Sequence, residues 1–305
     1  MSHWLTAFGL RILSDIDLLC PPSEQGPVDL RLLLHRTHVD ARAQAGIQWG
    51  RSEDGREAWA AVPGIARVRA KSNSEVVIEA SQTVPVETLR MVAISIALPL
   101  ILHQREGLVL EASAVTWNGK GLLLVGRGFC GKSSLAALIS DVGGQLLSDS
   151  HSHILFDEDD RLAMYPAFPH VRLWPTQRAL LNGNWPEPEV LRPEISKQLF
   201  AVPARFARTR TRIHGFVVLA RGVDDEFHVR RLKLPEVLRE LANASDRLGS
   251  PHSRAAAPNR FGLLTGLGKL PVAHLLQWPR RSDSFVECRN RLLKLTSLTD
   301  GPCST

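Results

Sequence analysis

The chain has 305 residues, 44% apolar and 22% charged, which fits one large globular domain, or a large one with a small one, and excludes a chain dominated by disorder. A formal charge of +6 and a pI near 9.5 favour anionic partners, although the basic excess is spread along the chain. Cys20, Cys130, Cys288 and Cys303 are scattered, with no CxxC pair, which argues against a disulfide framework or a zinc site and for a reducing, cytoplasmic setting.

The opening Met-Ser-His-Trp-Leu-Thr has no basic region ahead of an apolar run, so no signal peptide is expected. Residues 1–84 read as short strands and loops, with 64–70 and 74–80 as neighbouring strands of a hairpin or meander. From Val86 to Arg105 the spacing turns helical: Leu89, Val92, Ala93, Ile96 and Leu100 share one face, and Pro99 should kink or shorten the helix. Met91–Leu102, the most apolar stretch, is too short to cross a bilayer, and no membrane partner is expected. We expect a division into a small N-terminal domain, 1–88, and a larger α/β domain, 89–305.

The next segment is the most informative. Leu108–Trp117 is strand-like, Asn118-Gly119 is a hairpin turn signal, and 121–126 is a short apolar run suited to a buried strand. A glycine-rich loop, Gly126–Ser133, then opens a helix over 134–140, and 145–149 reads as another buried strand ending in an acid. Strands at 151–156 and 162–165 flank Asp157-Glu-Asp-Asp, read as a solvated hairpin turn. Pro166, Pro169 and Pro175 mark an irregular stretch; Ile213–Leu219 is a core strand, 234–241 and 263–276 look partly helical, and 250–259 is the expected mobile loop.

Gly126-Arg127-Gly128-Phe129-Cys130-Gly131-Lys132-Ser133 matches G-x-x-x-x-G-K-[ST] in full. Glycines let the backbone turn tightly and aim successive N–H groups at phosphate oxygens, and the helix N-terminus adds its positive dipole end. Lys132 can reach β- and γ-phosphates, the Ser133 hydroxyl can ligate Mg²⁺, and Ser134 follows as the next amide of the nucleotide site. The pattern predicts a nucleoside triphosphate, ATP with Mg²⁺. Such a site needs an acid at the end of a neighbouring strand; Asp149 is the choice, and Asp141 falls in a helix-to-strand loop.

Glu111-Ala-Ser-Ala-Val, 119–126, the Gly-Lys-Ser-Ser loop and Leu147-Ser-Asp resemble the HPr kinase/phosphorylase-like proteins, and Pro169-His-Val-Arg-Leu-Trp-Pro resembles a stretch of their shorter bacterial relatives, including the kinases that accompany lasso-peptide biosynthesis. The resemblance runs from about Leu108 to Pro175. It implies an α/β fold: a P-loop kinase core of the HPr kinase/phosphoenolpyruvate carboxykinase type, with a small N-terminal α+β domain. It also implies ATP, Mg²⁺ and phosphoryl transfer to a serine hydroxyl of a peptide or small protein, a ribosomally made precursor peptide among the candidates. By that pattern Asp149 is the catalytic acid/base and a metal ligand, Lys132 and Ser133 contact phosphate and metal, Lys197 is a further cation, and a homo-oligomer follows by analogy. Two positions depart: the family usually has His where Glu111 stands and a second Asp where Ser150 stands. Glu111 can substitute as metal ligand or base; the alternative is a catalytically weakened nucleotide-binding module that regulates or scaffolds a partner. A kinase for a small hydroxylated molecule is the third reading.

Arg208, Arg210 and Arg212 would share one strand face and either grip an acidic peptide or the γ-phosphate, or guard a solvated edge strand. His151 and His153 read as exposed or, sharing one strand face near Asp149, as neighbours of the phosphates; Trp174 reads as a packing anchor rather than a stacking platform for the base, and Cys130 as a spectator rather than a modifiable thiol. Nucleic acid is not an expected partner, since no basic motif interleaved with aromatics is present.

Overall fold

The computed structural model describes residues 2–37, 46–53, 56–190, 197–222, 224–246, 257–279 and 284–297. Seven strands, His3–Ala7, Leu10–Ser14, Leu30–Arg36, Gln48–Arg51, Glu57–Val62, Ala66–Lys71 and Glu75–Ala80, form a first sheet in the order 1-2-3-7-6-5-4. Its period-two pattern is plain in Ala66–Lys71, where Ala66, Val68 and Ala70 are buried and Arg67, Arg69 and Lys71 turn outward. Register sets Arg67 opposite Glu79 and Lys71 opposite Glu75, so the outer face gains opposite-charge pairs.

The expected helix covers this sheet. It runs over 86–102 and buries Leu89, Val92, Ala93, Ile96 and Leu100 in the sheet's core. Pro99 does not end it. Lacking an N–H, Pro99 cannot bond to the carbonyl four residues back, and the turn ahead of it, Ala93–Ala97, widens to a π-helix in which Leu98 N–H bonds to Ala93 O. Up to Ala80 the described residues form strands and turns alone, so the helical layer of this unit comes from 86–102, most of it beyond residue 88.

The second sheet is mixed and has nine strands. Its central strand, Lys120–Gly126, pairs antiparallel with Ala112–Trp117 across a turn in which Asn118 and Gly119 have φ of 50° and 75°. On the other side it pairs parallel with Thr211–Arg221, which pairs parallel with Val272–Trp278. The run Leu122-Leu-Leu-Val is apolar throughout because both faces are covered. Leu122 and Leu124 share one buried cluster with Leu135, Ile139 and Leu292 of the helices Lys132–Asp141 and Ser284–Ser297; Leu123 and Val125 share another with Val237, Leu241 and Leu263 of the helices Leu234–Asp246 and Ala257–Gly268. A small third sheet joins His170–Leu173, Gln198–Ala201 and Glu189–Val190.

The stretch 263–276 is partly helical, as expected: the helix Ala257–Gly268 ends ahead of Pro271, and Val272–Trp278 enters the sheet. Two expectations change. Leu108–Trp117 is not one strand: it breaks at Glu111, so Leu108–Leu110 pairs with Ser152–Phe156 while Ala112–Trp117 pairs with the central strand. The expected mobile loop falls mostly outside the described residues, and Ala257–Gly268, which takes in its end, is helical. No described helix is long and apolar enough to cross a membrane.

Asp141 is more than a loop residue. Its carboxylate accepts from the Asn182 and Gly183 amides at 2.8 and 3.0 Å and from the Trp185 indole at 2.9 Å, tying the end of the helix Lys132–Asp141 to the 182–185 segment. Asp141→Ala is expected to cost about 3 kcal/mol in denaturant unfolding, since three donors lose a charged acceptor. Asp141→Asn should recover part of that loss.

Candidate active site

The glycine-rich loop sits between the central strand and the helix Lys132–Asp141. Two glycines are required by its path. Gly126 has φ 147°, and a Cβ there would meet Leu219 O at 2.4 Å. Gly131, the residue before the helix, has φ 99°, and a Cβ there would meet the Trp278 ring at 2.8 Å. Phe129 adopts φ 65° without being glycine.

Lys132 lies over the loop it belongs to. Its ammonium donates to the carbonyls of Gly126 and Arg127 at 2.8 and 3.3 Å and to Glu111 Oε1 at 3.1 Å. Glu111 reaches it because the break between strands puts this residue at the strand ends, its own N–H bonded to Ala244 O at 3.0 Å. Ser133, one residue on, donates its hydroxyl to Asp149 Oδ1 at 2.8 Å.

Asp149 follows the strand Gln145–Ser148 and is 6% exposed. It accepts from Ser133, from the Ser113 hydroxyl at 2.6 Å and from the Arg172 N–H at 3.1 Å. Burial alone would raise its pKa; the Arg172 charge, the Ser113 bond and the Lys197 charge outweigh that and hold it below the ordinary aspartate value. Asp149 is therefore ionised at neutral pH. Burial pushes the Lys197 ammonium below its ordinary value, and the Arg172 and Lys132 charges act the same way against the pull of Asp149 and Glu111.

These groups line one cavity of about 380 Å³. Glu111, loop residues Gly128–Ser134, Ser150, His151, Arg172, Trp174, Gln177, Lys197 and Arg221 form its wall. Of the sequence candidates, Glu111, Gly128, Phe129, Cys130, Gly131, Lys132, Ser133 and Ser134 face this space, Asp149 lies behind it through Ser133, and Gly126 and Arg127 border a second cavity of about 670 Å³ that shares Gly128, Phe129 and Cys130 with the first. Among the described residues no cluster of three or more His, Cys, Asp or Glu stands ready for a metal ion. Ser133 and Asp149 form a smaller oxygen pair of the hard kind that suits Mg²⁺.

Several side chains are placed differently from expectation. His151 and His153 are buried, 6% and 4% exposed, and diverge. His151 faces the cavity with Nδ1 unpartnered, and burial followed by the Arg172 charge lowers its pKa to about 3. His153 points to the first sheet, bonding Glu106 O at 2.8 Å and meeting the Phe8 ring edge-on. Trp174 is half-buried beside Phe129, not a core anchor. Arg210 pairs with Glu158, and Arg212 with Asp157 and Asp159, all at the hairpin turn; neither borders the loop cavity, and Thr211–Arg221 is paired on both sides, so this run neither lines the site nor guards an edge strand. The arginines that do line it are Arg172 and Arg221, the second laid over the Trp278 ring at 4.0 Å. Ser113 carried no readable signal, since Glu111 stands at the break between two strands and spacing from it does not fix the face on which Ser113 lies.

No family model matches the chain, and no curated protein matches it. Among solved structures, the HPr(Ser) kinase/phosphatase from Coxiella burnetii is similar at 14% identity, over 62% of this chain and 98% of that one, with a TM-score of 0.32. That is a distant fold likeness and no more.

Burial makes the neighbouring histidines acid-sensitive. His153 is pushed to about 4 by burial, with Arg105 and Arg260 adding to it against the Glu106 bond; His170 is pushed to about 4 by burial, against the pull of Asp149, with Arg172 and Arg90 adding to the lowering. Both start from 6.5 when unfolded, so below that pH the unfolded chain takes up protons that the native chain refuses. Stability is fully present above pH 6.5 and should fall as pH drops toward 4, by up to about 1.4 kcal/mol per histidine per pH unit. Thermal unfolding between pH 7 and 4.5 should show the loss, and His153→Gln, which keeps a donor for Glu106 O, should remove the share of His153 and leave that of His170.

Proposed function

We propose that this protein is an ATP- and Mg²⁺-dependent kinase that transfers the γ-phosphoryl group to a serine hydroxyl of a peptide or small protein. The observation that carries the reading is the convergence, on one cavity, of the loop amides, the Lys132 ammonium and a Ser133 hydroxyl bonded to a buried, ionised Asp149. Phosphoryl transfer asks for little covalent chemistry from a protein; it asks for positioning and for positive charge around the phosphates. Lys132, Arg172, Lys197 and Arg221 supply that charge from four separate segments. Ser133 and Asp149 would hold Mg²⁺, which neutralises phosphate charge when bound. Asp149 would orient the acceptor hydroxyl or take its proton, with Glu111 as a second carboxylate on the wall.

The resemblance to HPr kinase-like proteins supports the choice of a serine hydroxyl. A division into a small N-terminal domain and a kinase domain and a homo-oligomer belong to the same proposal, with the boundary drawn past Leu102 and not at residue 88, because the helix 86–102 packs on the first sheet. Transfer of label from γ-labelled ATP with Mg²⁺ to candidate peptides tests it. No transfer to any acceptor by a protein that binds ATP would reject the kinase reading.

A second reading, a nucleotide-gated binding module, is favoured by one feature. Arg172 donates to the Ser150 hydroxyl where a second carboxylate would otherwise stand, and Glu111 is already engaged with Lys132. Glu111→His with Ser150→Asp separates the two: a large gain of transfer in a silent parent supports the module.

A further inference from the structure

Phe129 sits at the tip of the phosphate loop and is 82% exposed. An aromatic ring in water has no packing reward, and its backbone, at φ 65°, occupies a region where glycine would rest without strain. The loop's path asks only for an N–H at this position, so the ring is not needed to build the cradle. Trp174 comes from a different segment, just beyond the strand His170–Leu173, and its ring lies 6.3 Å from that of Phe129 at an interplanar angle of 29°. Two rings from separate elements thus present a near-parallel π surface at the rim of the 380 Å³ cavity.

The rest of the wall explains what that surface is for. Glu111, Lys132, Ser133, Arg172, Lys197 and Arg221 are polar or charged and serve phosphate and metal chemistry, while His151 is buried deep within. Phe129 and Trp174 are the two apolar rings among the wall residues. A triphosphate seated on the loop amides fills the polar floor, and its remaining part, a planar base on a sugar, has to leave over the rim.

We infer that Phe129 and Trp174 form the stacking seat for the nucleobase of the bound nucleoside triphosphate. Stacking tolerates any base, because every base has a π-face, so the seat adds affinity with weak preference among nucleotides. The inference rests on the proposed use of the loop as a triphosphate cradle and adds where the base goes.

The test compares ATP with inorganic tripolyphosphate, which has no base, by calorimetry on the whole chain. The wild-type protein should bind ATP more tightly than tripolyphosphate. Phe129→Gly, which suits the backbone at φ 65°, should weaken ATP about tenfold and leave tripolyphosphate affinity undiminished. Trp174→Ala should act in the same direction, and in either variant the tripolyphosphate value shows that the cradle is intact. If both variants bind ATP as the wild type does, the seat is refuted while the cradle stands. The seat is equally refuted if ATP affinity is unchanged and only the KM for an acceptor peptide rises, since the rings would then serve the acceptor. If the wild type binds neither ATP nor tripolyphosphate, the cradle itself fails and the seat with it.

Discussion

Lys132→Ala is expected to lower phosphoryl transfer by about a thousandfold or more while the protein still folds. Both halves follow from the contacts of the ammonium. Its three partners are two loop carbonyls and Glu111, so it holds the loop closed and puts a positive charge where the β- and γ-phosphates would lie. Removing it takes away a charge that acts in the transition state, when negative charge shifts toward the leaving oxygens. The fold should be spared because the abandoned partner is not sealed off: the Glu111 side chain is 27% exposed and can take up water. Because Lys132 itself is nearly buried and two loop carbonyls lose a donor, a loss of about 1–3 kcal/mol is expected, short of unfolding. Label transfer from γ-labelled ATP, with thermal unfolding in parallel, checks both statements. Wild-type transfer by the variant would remove Lys132 from the mechanism.

The sequence made the loop legible because its pattern is local. Gly126 and Gly131 are where the backbone needs glycine, the apolar run 122–125 is where a strand is buried on both faces, and Lys132 opens a helix. Asp149 was legible for the same reason, as an acid closing a short apolar strand. What the sequence did not display depends on pairing between distant segments. Arg172 enters the cavity because His170–Leu173 pairs with Gln198–Ala201 in a small separate sheet, and Arg221 because a strand ninety residues downstream lies beside the loop strand. His151 and His153 could be read as exposed or as neighbours of the phosphates; both are buried, and they part because His151 precedes the strand Ser152–Phe156 and lines the cavity while His153, within that strand, meets Phe8 of the first sheet edge-on. The basic run at 208–212 left open an anion grip or a guarded edge strand because its acidic partners, Asp157–Asp159, lie fifty residues away and meet it only through the antiparallel pairing of Leu162–Met164 with Thr211–Arg221. The break at Glu111 escaped notice because an uninterrupted β-like run does not reveal a change of neighbours.

Asp149→Asn is the sharper experiment, since it alters one charge and almost no volume. The carboxylate has three donors around it: hydroxyls of Ser133 and Ser113 on Oδ1 and the Arg172 N–H on Oδ2. An asparagine satisfies all three only by turning its oxygen to Arg172 N–H and its NH₂ to the two hydroxyls, which must then accept instead of donate. The fold survives such a rearrangement at a cost of about 1–2 kcal/mol. The chemistry does not. Ser133 loses a lone pair that a cation would use, the site loses its buried negative charge, and no carboxylate remains at this position to orient or deprotonate an acceptor. Transfer should fall by roughly a thousandfold. ATP should still bind, because the loop amides and Lys132 are untouched and one negative charge beside the phosphates is gone, while the dependence of that binding on Mg²⁺ should flatten. Transfer within tenfold of wild type would instead move both roles to Glu111, the remaining carboxylate on the cavity wall, and Glu111→Gln would then become the silent variant.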